Sequence, residues 1–387
     1  MRDAADWEHS DTVMRHGNTE HWVMVLGWLT MGGAERQALY LAQALMKERG
    51  VRVSVVGLSN PGYVMDECRR LGIDCHYWPF EFPDRYYQQW RSIFRFAARL
   101  RRLGPTFVAP YCMPANLICG LTWRLTGAKA CVWQQRDEGR LRRSDWIEPW
   151  ALRLTPAFIS NSIHAARWLE TDLHVAPTRI SVIRNGIILP KVSPHTGRWR
   201  DNWHISADKK ILTMVANLHQ YKDHLTLLRA WKIIRQSAMS SDWMLVLAGR
   251  YEDTYSELQT FAVENNLLDS VLFANRISDV PALLDDAALL VFSSLCEGVP
   301  NGILEAMTHG LAVVATDIPG IREAVGSTSE DQFAIPSDPQ DFAMKVMRLM
   351  ADPTVRSALG RKNRERVEAL HSMDAMVHET IAVFQSL

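Results

Sequence analysis

The residues best able to act on a charged ligand lie in three short segments, each between an apolar run and a helical one. In Leu295-Cys296-Glu297-Gly298-Val299-Pro300-Asn301-Gly302-Ile303-Leu304-Glu305-Ala306-Met307, two glutamates are separated by seven residues around a proline. Proline suits the first turn of a helix. Asn301 and Gly302 should therefore present their amides at a helix N-terminus, where free N–H groups and the helix dipole attract a diphosphate. Glu297 then falls in the loop before the helix and Glu305 about one turn inside it. Carboxylates placed there accept strong hydrogen bonds from sugar or ribose hydroxyls, or else only complement the helix dipole. The pair alone leaves both open.

The second segment, Thr30-Met31-Gly32-Gly33-Ala34-Glu35-Arg36, follows an apolar run and opens a helix. Its glycines would let backbone amides approach an anion closely. It is neither the GxGxxG dinucleotide fingerprint nor a Walker A loop, and a plain tight turn also explains Gly-Gly. In the third, Asn217-Leu218-His219-Gln220-Tyr221-Lys222-Asp223-His224, Lys222 falls at a strand end beside the next helix. A lysine there either neutralises a leaving diphosphate or is simply exposed.

Such loops need a scaffold, and the chain alternates strand-length apolar runs with helical periodicity along nearly its whole length. In the first half the runs are 22–28, 51–58, 106–112, 129–133 and 157–162, followed by 179–190. The polar stretch Lys191-Val192-Ser193-Pro194-His195-Thr196-Gly197 marks a domain boundary. A second series follows at 211–217, 243–249, 271–275, 288–294 and 311–316, and 338–387 is helical. The pattern predicts an α/β protein with parallel sheets, in two Rossmann-like halves. Ligands of such sheets bind beyond the C-terminal ends of strands.

The chain of 387 residues is 47% hydrophobic and 22% charged, as in ordinary globular proteins, and no run approaches a membrane span. Residues 1–20 carry acids and no apolar core, which reads as a solvated tail rather than a signal peptide. Six cysteines without CxxC spacing suit a reduced, cytoplasmic protein and give no zinc site. Zero net charge hides an asymmetry: residues 1–190 hold 24 Lys and Arg against 18 acids. Nine basic residues and no acid occur from Arg85 to Arg136. Either the first half meets an anionic partner, or these charges form a solvated face balanced elsewhere.

Taken together, the segments resemble the retaining GT-B glycosyltransferases of family 4. The resemblance covers residues 21–386. It is most specific from Glu297-Gly298-Val299-Pro300-Asn301-Gly302-Ile303-Leu304-Glu305 through Gly310-Leu311 and Asp317-Ile318-Pro319-Gly320 to Glu323. Gly32-Gly33-Ala34-Glu35 and Ile183-Arg184-Asn185-Gly186-Ile187 match two further family motifs. The resemblance implies two Rossmann-like domains facing a central cleft. Residues 21–190 would bind the acceptor and 191–372 the nucleotide-sugar, with a helix at 373–387 returning to the first domain.

It implies sugar transfer from a UDP-, GDP- or ADP-sugar to a glycan or lipid-linked acceptor, with retention and no metal or other cofactor, in polysaccharide or glycolipid synthesis. Glu297 would contact the donor sugar and Glu305 the ribose. Lys222 and the amides of Asn301 and Gly302 would hold the diphosphate, Gly33 would approach the reacting phosphate from the other domain, Gly298 would belong to the donor site, and the base would pack near Asp279-Val280. Asp285-Asp286 lies in a helix-like stretch and is no metal-binding DxD motif. Two departures stand out. The family's arginine before the lysine is replaced by Asn217-Leu218-His219, and its N-domain histidine by Gln135 or Arg136, between which the sequence does not decide. Arg136 could also supply the missing charge.

Two rival readings remain: an inverting enzyme using Asp137 or Glu138 as base, and a non-catalytic nucleotide- or glycan-binding module. No part of the pattern points to nucleic acid. Finally, Tyr86 to Leu103 places Arg91, Arg95, Arg99 and Arg102 on one helical face and Trp90, Ile93, Phe94, Ala97 and Leu100 largely on another. Such a helix either lies on the anionic inner face of a membrane or packs its apolar face on the sheet.

Overall fold

The computed structural model describes residues 20–137, 139, 142–143, 145–190, 198–327 and 329–387. The tail expected over 1–20 falls outside these apart from Glu20, and so do Glu138 and the boundary stretch 191–197. The first sheet holds β1 (His21–Leu26), β2 (Arg52–Gly57), β3 (Asp74–Tyr77), β4 (Phe107–Tyr111), β5 (Ala130–Gln135), β6 (Ala157–Ser160) and β7 (Ile180–Val182). Their order is β3-β2-β1-β4-β5-β6-β7, all parallel. The second holds β8 (Lys210–Val215), β9 (Trp243–Ala248), β10 (Val271–Asn275), β11 (Ala287–Phe292), β12 (Val313–Thr316) and β13 (Phe333–Ala334). They run β10-β9-β8-β11-β12-β13, again parallel. Two Rossmann-like α/β domains result, the GT-B arrangement.

Central strands such as β1 are wholly buried because helices cover both faces of a parallel sheet. That is why they read as unbroken apolar runs. The two strands that apolar runs do not mark are edges: β3 is half exposed and β13 has two residues. In both sheets the strand order reverses between the first strand and its neighbour across the middle: β1 beside β4, and β8 beside β11. Ligands of open α/β sheets dock at such reversals. The loops leaving β1, β8 and β11 carry Gly32-Gly33, Lys222 and Glu297 respectively.

The helix Met373–Gln385 packs Met376, Val377, Ile381 and Phe384 into the core beneath β1. The strand-like residue Ile187 donates its N–H to His371 O at 3.0 Å, so the two chain crossings between domains are tied together. The helix Tyr86–Leu103 buries Gln89, Ile93, Phe96, Ala97 and Leu100 against the first sheet. Of the residues that spacing puts on the apolar face, Trp90 and Phe94 are exposed together with Tyr86 and Tyr87. The 3.6-residue period carries them past the edge of the packed stripe, where Trp90 stacks on Trp146 at 4.8 Å.

Phe384 is fully buried, with its ring 4.5 Å from Trp22 and 5.7 Å from Phe107. Phe384→Ala should destabilise the protein by about 3–5 kcal/mol, the usual cost of emptying a buried aromatic site. Urea unfolding would measure it; a loss under about 1 kcal/mol would mean that the returning helix is not part of this core.

Candidate active site

The two helices that begin at the strand reversals meet end to end. The first, Gly33–Arg49, starts immediately after Gly32, whose backbone is extended; the second, Asn301–Thr308, starts after Pro300. Pro300 thus stands at the N-cap rather than inside the first turn, because its extended ψ of 119° precedes the helix. Ile303 and Leu304 donate to Pro300 O at 3.2 and 3.3 Å, which leaves the Asn301 and Gly302 amides at the open end of the helix. Gly302 lies against the Val215 carbonyl, where any side chain would clash. The Asn301 side chain spans the cleft: Nδ2 donates to Gly33 O at 3.0 Å, and Oδ1 accepts from Asn185 Nδ2 at 2.8 Å. Gln37 binds the Gly186 backbone through both amide atoms, at 2.8 and 3.1 Å.

Lys222 and Glu297 form an ion pair inside the second domain, at 12% and 11% exposure. The lysine Nζ lies 5.0 Å from the Tyr221 ring centre and 5.1 Å from that of Phe292. Glu297 also accepts from Ser294 Oγ at 2.7 Å, and Gly320 packs directly on the carbonyls of Glu297 and Gly298. The Glu297 loop is therefore held from three sides. Across the cleft, Glu305 pairs with Arg36 of the first domain. The nearby carboxylate holds the Arg36 guanidinium above its ordinary range. Neither pairing follows from local sequence spacing.

Strand β5 runs to Gln135, two residues beyond the apolar run, so Gln135 ends the strand and Arg136 begins the loop. Gln135 is buried, accepting from Trp133 Nε1 at 2.9 Å and donating to Asp137 O at 2.7 Å. Arg136 donates to Asn185 Oδ1 at 3.0 Å and to Gln134 Oε1 at 2.9 Å, over the Tyr111 ring. Its carbonyl lies beside Gly298. Burial away from water pulls its guanidinium below the usual range.

Asp137 accepts from the Gly139 amide at 2.8 Å and organises its loop. Asp279 is an exposed helix cap, accepting from Ala282 N at 3.2 Å, and Val280 opens that helix. Close by, Arg276 lies 3.4 Å from the Tyr63 ring centre, a second cation contact across the cleft. Asp285 pairs with His309 and Asp286 with Arg200. No metal-binding cluster occurs among the described residues.

The residues missed by sequence reasoning are Arg36, Gln37 and, as a side chain, Asn185. Arg36 and Gln37 adjoin the Gly32-Gly33 motif, which was the only available signal. Glu323 accepts from Ile163 N at 2.8 and 3.0 Å, capping a first-domain helix from the second domain.

Glu35 sits at the same cleft, 4% exposed, and burial pushes its carboxyl up to about 7 against the pull of the Gly32 and Glu35 amides. In the unfolded chain it would titrate near 4.5. Its contribution to stability is thus complete below that value and is lost as pH rises through about 7. Glu35→Gln should remove a fall of up to about 3 kcal/mol between about pH 5 and about pH 8, measured by urea unfolding. An unchanged pH slope would contradict this.

Two family profiles match the chain: "Glycosyltransferase Family 4" over residues 31–189 and "Glycosyl transferases group 1" over 209–352. Among curated relatives, an Escherichia coli UDP-Gal:alpha-D-GlcNAc-diphosphoundecaprenol alpha-1,3-galactosyltransferase is 26% identical over 225 residues, 57% of this chain and 58% of that one. The human alpha-1,3/1,6-mannosyltransferase ALG2 is 26% identical over 252 residues, 61% and 59% of the two chains. The chain thus spans little more than half the length of these relatives. Among solved structures, Anabaena HepE in complex with UDP and glucose superposes with a TM-score of 0.81 at 17% identity, over 94% of this chain and 99% of that one. That likeness concerns the fold. With both profiles matched in order on the two domains, the chain belongs to the GT-B glycosyltransferases of family 4, group 1.

Proposed function

We propose that this chain is a retaining glycosyltransferase. It would move a sugar from a nucleoside diphosphate to an acceptor hydroxyl in polysaccharide or glycolipid synthesis. The observation that carries the reading is the meeting of Glu297, Lys222, Glu305, Gly33 and the Asn301–Gly302 amides at the strand reversals of two facing sheets. In this reading the bond from the anomeric carbon to the phosphate oxygen breaks as the acceptor oxygen attacks the same face. The acceptor's proton passes to the departing phosphate. Lys222 and the helix N-terminus stabilise the leaving charge without a metal, and catalysis consists of positioning and electrostatics. Glu297 takes the sugar hydroxyls and Glu305 those of the ribose, with the base near Asp279-Val280.

Of the two replacements for the family histidine, Arg136 is favoured, since its backbone carbonyl lies beside Gly298 of the second domain while the Gln135 side chain is engaged within its own domain by Trp133 and Asp137. UDP-sugars are the first donors to test, because the galactosyltransferase relative uses UDP-Gal by name and HepE was solved with UDP; GDP- and ADP-sugars come next. The acceptor is a glycan or a lipid-linked sugar. We place the enzyme at the cytoplasmic face of a membrane: Arg91, Arg95, Arg99 and Arg102 are exposed around Tyr86, Tyr87, Trp90 and Phe94, and this helix contains no acid. Each such arginine is worth on the order of 1 kcal/mol near an anionic bilayer. No helix among the described residues is long and apolar enough to cross a membrane.

Glu305→Ala and Lys222→Ala should each lower nucleotide-sugar turnover by at least about tenfold, or ~1.4 kcal/mol of transition-state stabilisation. Near-normal turnover in both folded variants would sink the assignment, and the product's anomeric configuration separates retention from inversion. Glu297→Ala should weaken nucleotide-sugar binding more than nucleotide binding. In liposome flotation at low salt, the protein should rise with anionic vesicles and stay down with neutral ones. Staying down with both would remove the membrane reading.

A further inference from the structure

Each motif glutamate is neutralised by one cation, Glu297 by Lys222 within its own domain and Glu305 by Arg36 from across the cleft. Arg36 is the fourth residue of its helix and Glu305 the fifth of the other. The two helices meet where Asn301 Nδ2 donates to Gly33 O at 3.0 Å. Arg36 is therefore anchored within about one helical turn, ~5.4 Å, of the backbone groups between which a diphosphate would lie. An extended arginine side chain covers that distance.

Among the described residues of the second domain, the cations at the cleft other than Lys222 are engaged elsewhere, Arg250 with Glu252 and Arg276 against the Tyr63 ring. In the segment where the resemblance would put an arginine, His219 faces Asp253 at 3.1 Å and Asn217 Oδ1 accepts from Arg250 N at 3.1 Å. Arg136 does not fill the gap either, since its terminal nitrogens are held by Asn185 and Gln134. Arg36 differs in kind. Its partner is the carboxylate that a ribose would need, so ribose binding displaces it and leaves a guanidinium without an anion. A charge left so is costly unless another partner is at hand, and the diphosphate brings one.

Resting on the donor reading above, we propose that Arg36 serves two anions in turn: Glu305 in the empty cleft, and the donor's diphosphate once the ribose hydroxyls occupy Glu305. The exchange couples the two halves of the nucleotide. A nucleoside alone must break the ion pair with nothing to replace it, whereas a nucleoside diphosphate supplies the replacement. Arg36 thereby stands in, from the facing domain, for the arginine missing before Lys222.

The test is calorimetric titration of the wild type and of Arg36→Ala and Arg36→Lys with UDP, GDP and ADP, and with uridine, guanosine and adenosine. Folding of each variant is checked by thermal unfolding, and Arg36→Gln replaces the alanine variant if that one is unfolded. For the diphosphate that the wild type binds, loss of Arg36 should weaken binding at least tenfold. The matching nucleoside should bind as well or more tightly, and the lysine variant should recover part of the diphosphate affinity. Diphosphate binding that is unchanged or tighter in Arg36→Ala would overturn the proposal, leaving Arg36 as a plug on Glu305. Equal losses for nucleoside and diphosphate would overturn it too, by showing a structural role. A wild type that binds none of the three diphosphates would instead overturn the donor reading, and this inference with it.

Discussion

A carboxylate withdrawn from water must find a cation or strong donors; in the cleft Glu297 and Glu305 each find a cation, while burial pushes the Glu35 carboxyl toward its neutral form. Glu297 precedes one short helix and Glu305 lies on its second turn, 11% and 14% exposed, each paired with a basic side chain. The surrounding architecture can be read as what makes those pairings possible. The reversal of strand order in each sheet brings the loops after β8 and β11 together for the first pair. It brings the helix after β1 to face the helix after β11 for the second. Without its partner, either carboxylate would be a largely buried charge left uncompensated, which is costly.

Asn301 is the mechanical counterpart of these charges. It is the first residue of its helix, yet its side chain is committed across the cleft to Gly33 and Asn185. Asn185 in turn holds the Val299 carbonyl and the Arg136 guanidinium, and Gln37 fastens Gly186. At the cleft the two domains therefore meet through neutral hydrogen bonds at its centre, with the Arg36–Glu305 ion pair and the Glu323 cap on Ile163 beside them. Neutral bonds contribute only about 0.5–1.5 kcal/mol each. The contacts at the far end are of another sort: the helix Met373–Gln385 buries four apolar side chains in the first core.

How much of this was legible beforehand follows from distance along the chain. Central strands declared themselves because both faces are buried, while β3 and β13, at the edges, carry too little apolar pattern to register. Glu297, Asn301, Gly302 and Glu305 were legible as a group because one helix start fixes their relations. Lys222 could be placed at a strand end, but its pairing with Glu297 lies 75 residues away in sequence. The Arg36–Glu305 contact spans 269 residues and two domains, and no local spacing encodes it. For Trp90 and Phe94 the sequence left two settings open. Spacing put them on the apolar face with Ile93, Ala97 and Leu100, which are buried, whereas these two are exposed.

The central claim is that donor hydroxyls and cations compete for the same two carboxylates. The most direct measurement is a crystal structure of the protein with its nucleoside diphosphate bound. The account predicts ribose hydroxyls within hydrogen-bond distance of Glu305, and Arg36 parted from that carboxylate and turned toward the phosphates. A bound nucleotide alongside an intact Arg36–Glu305 pair would contradict it.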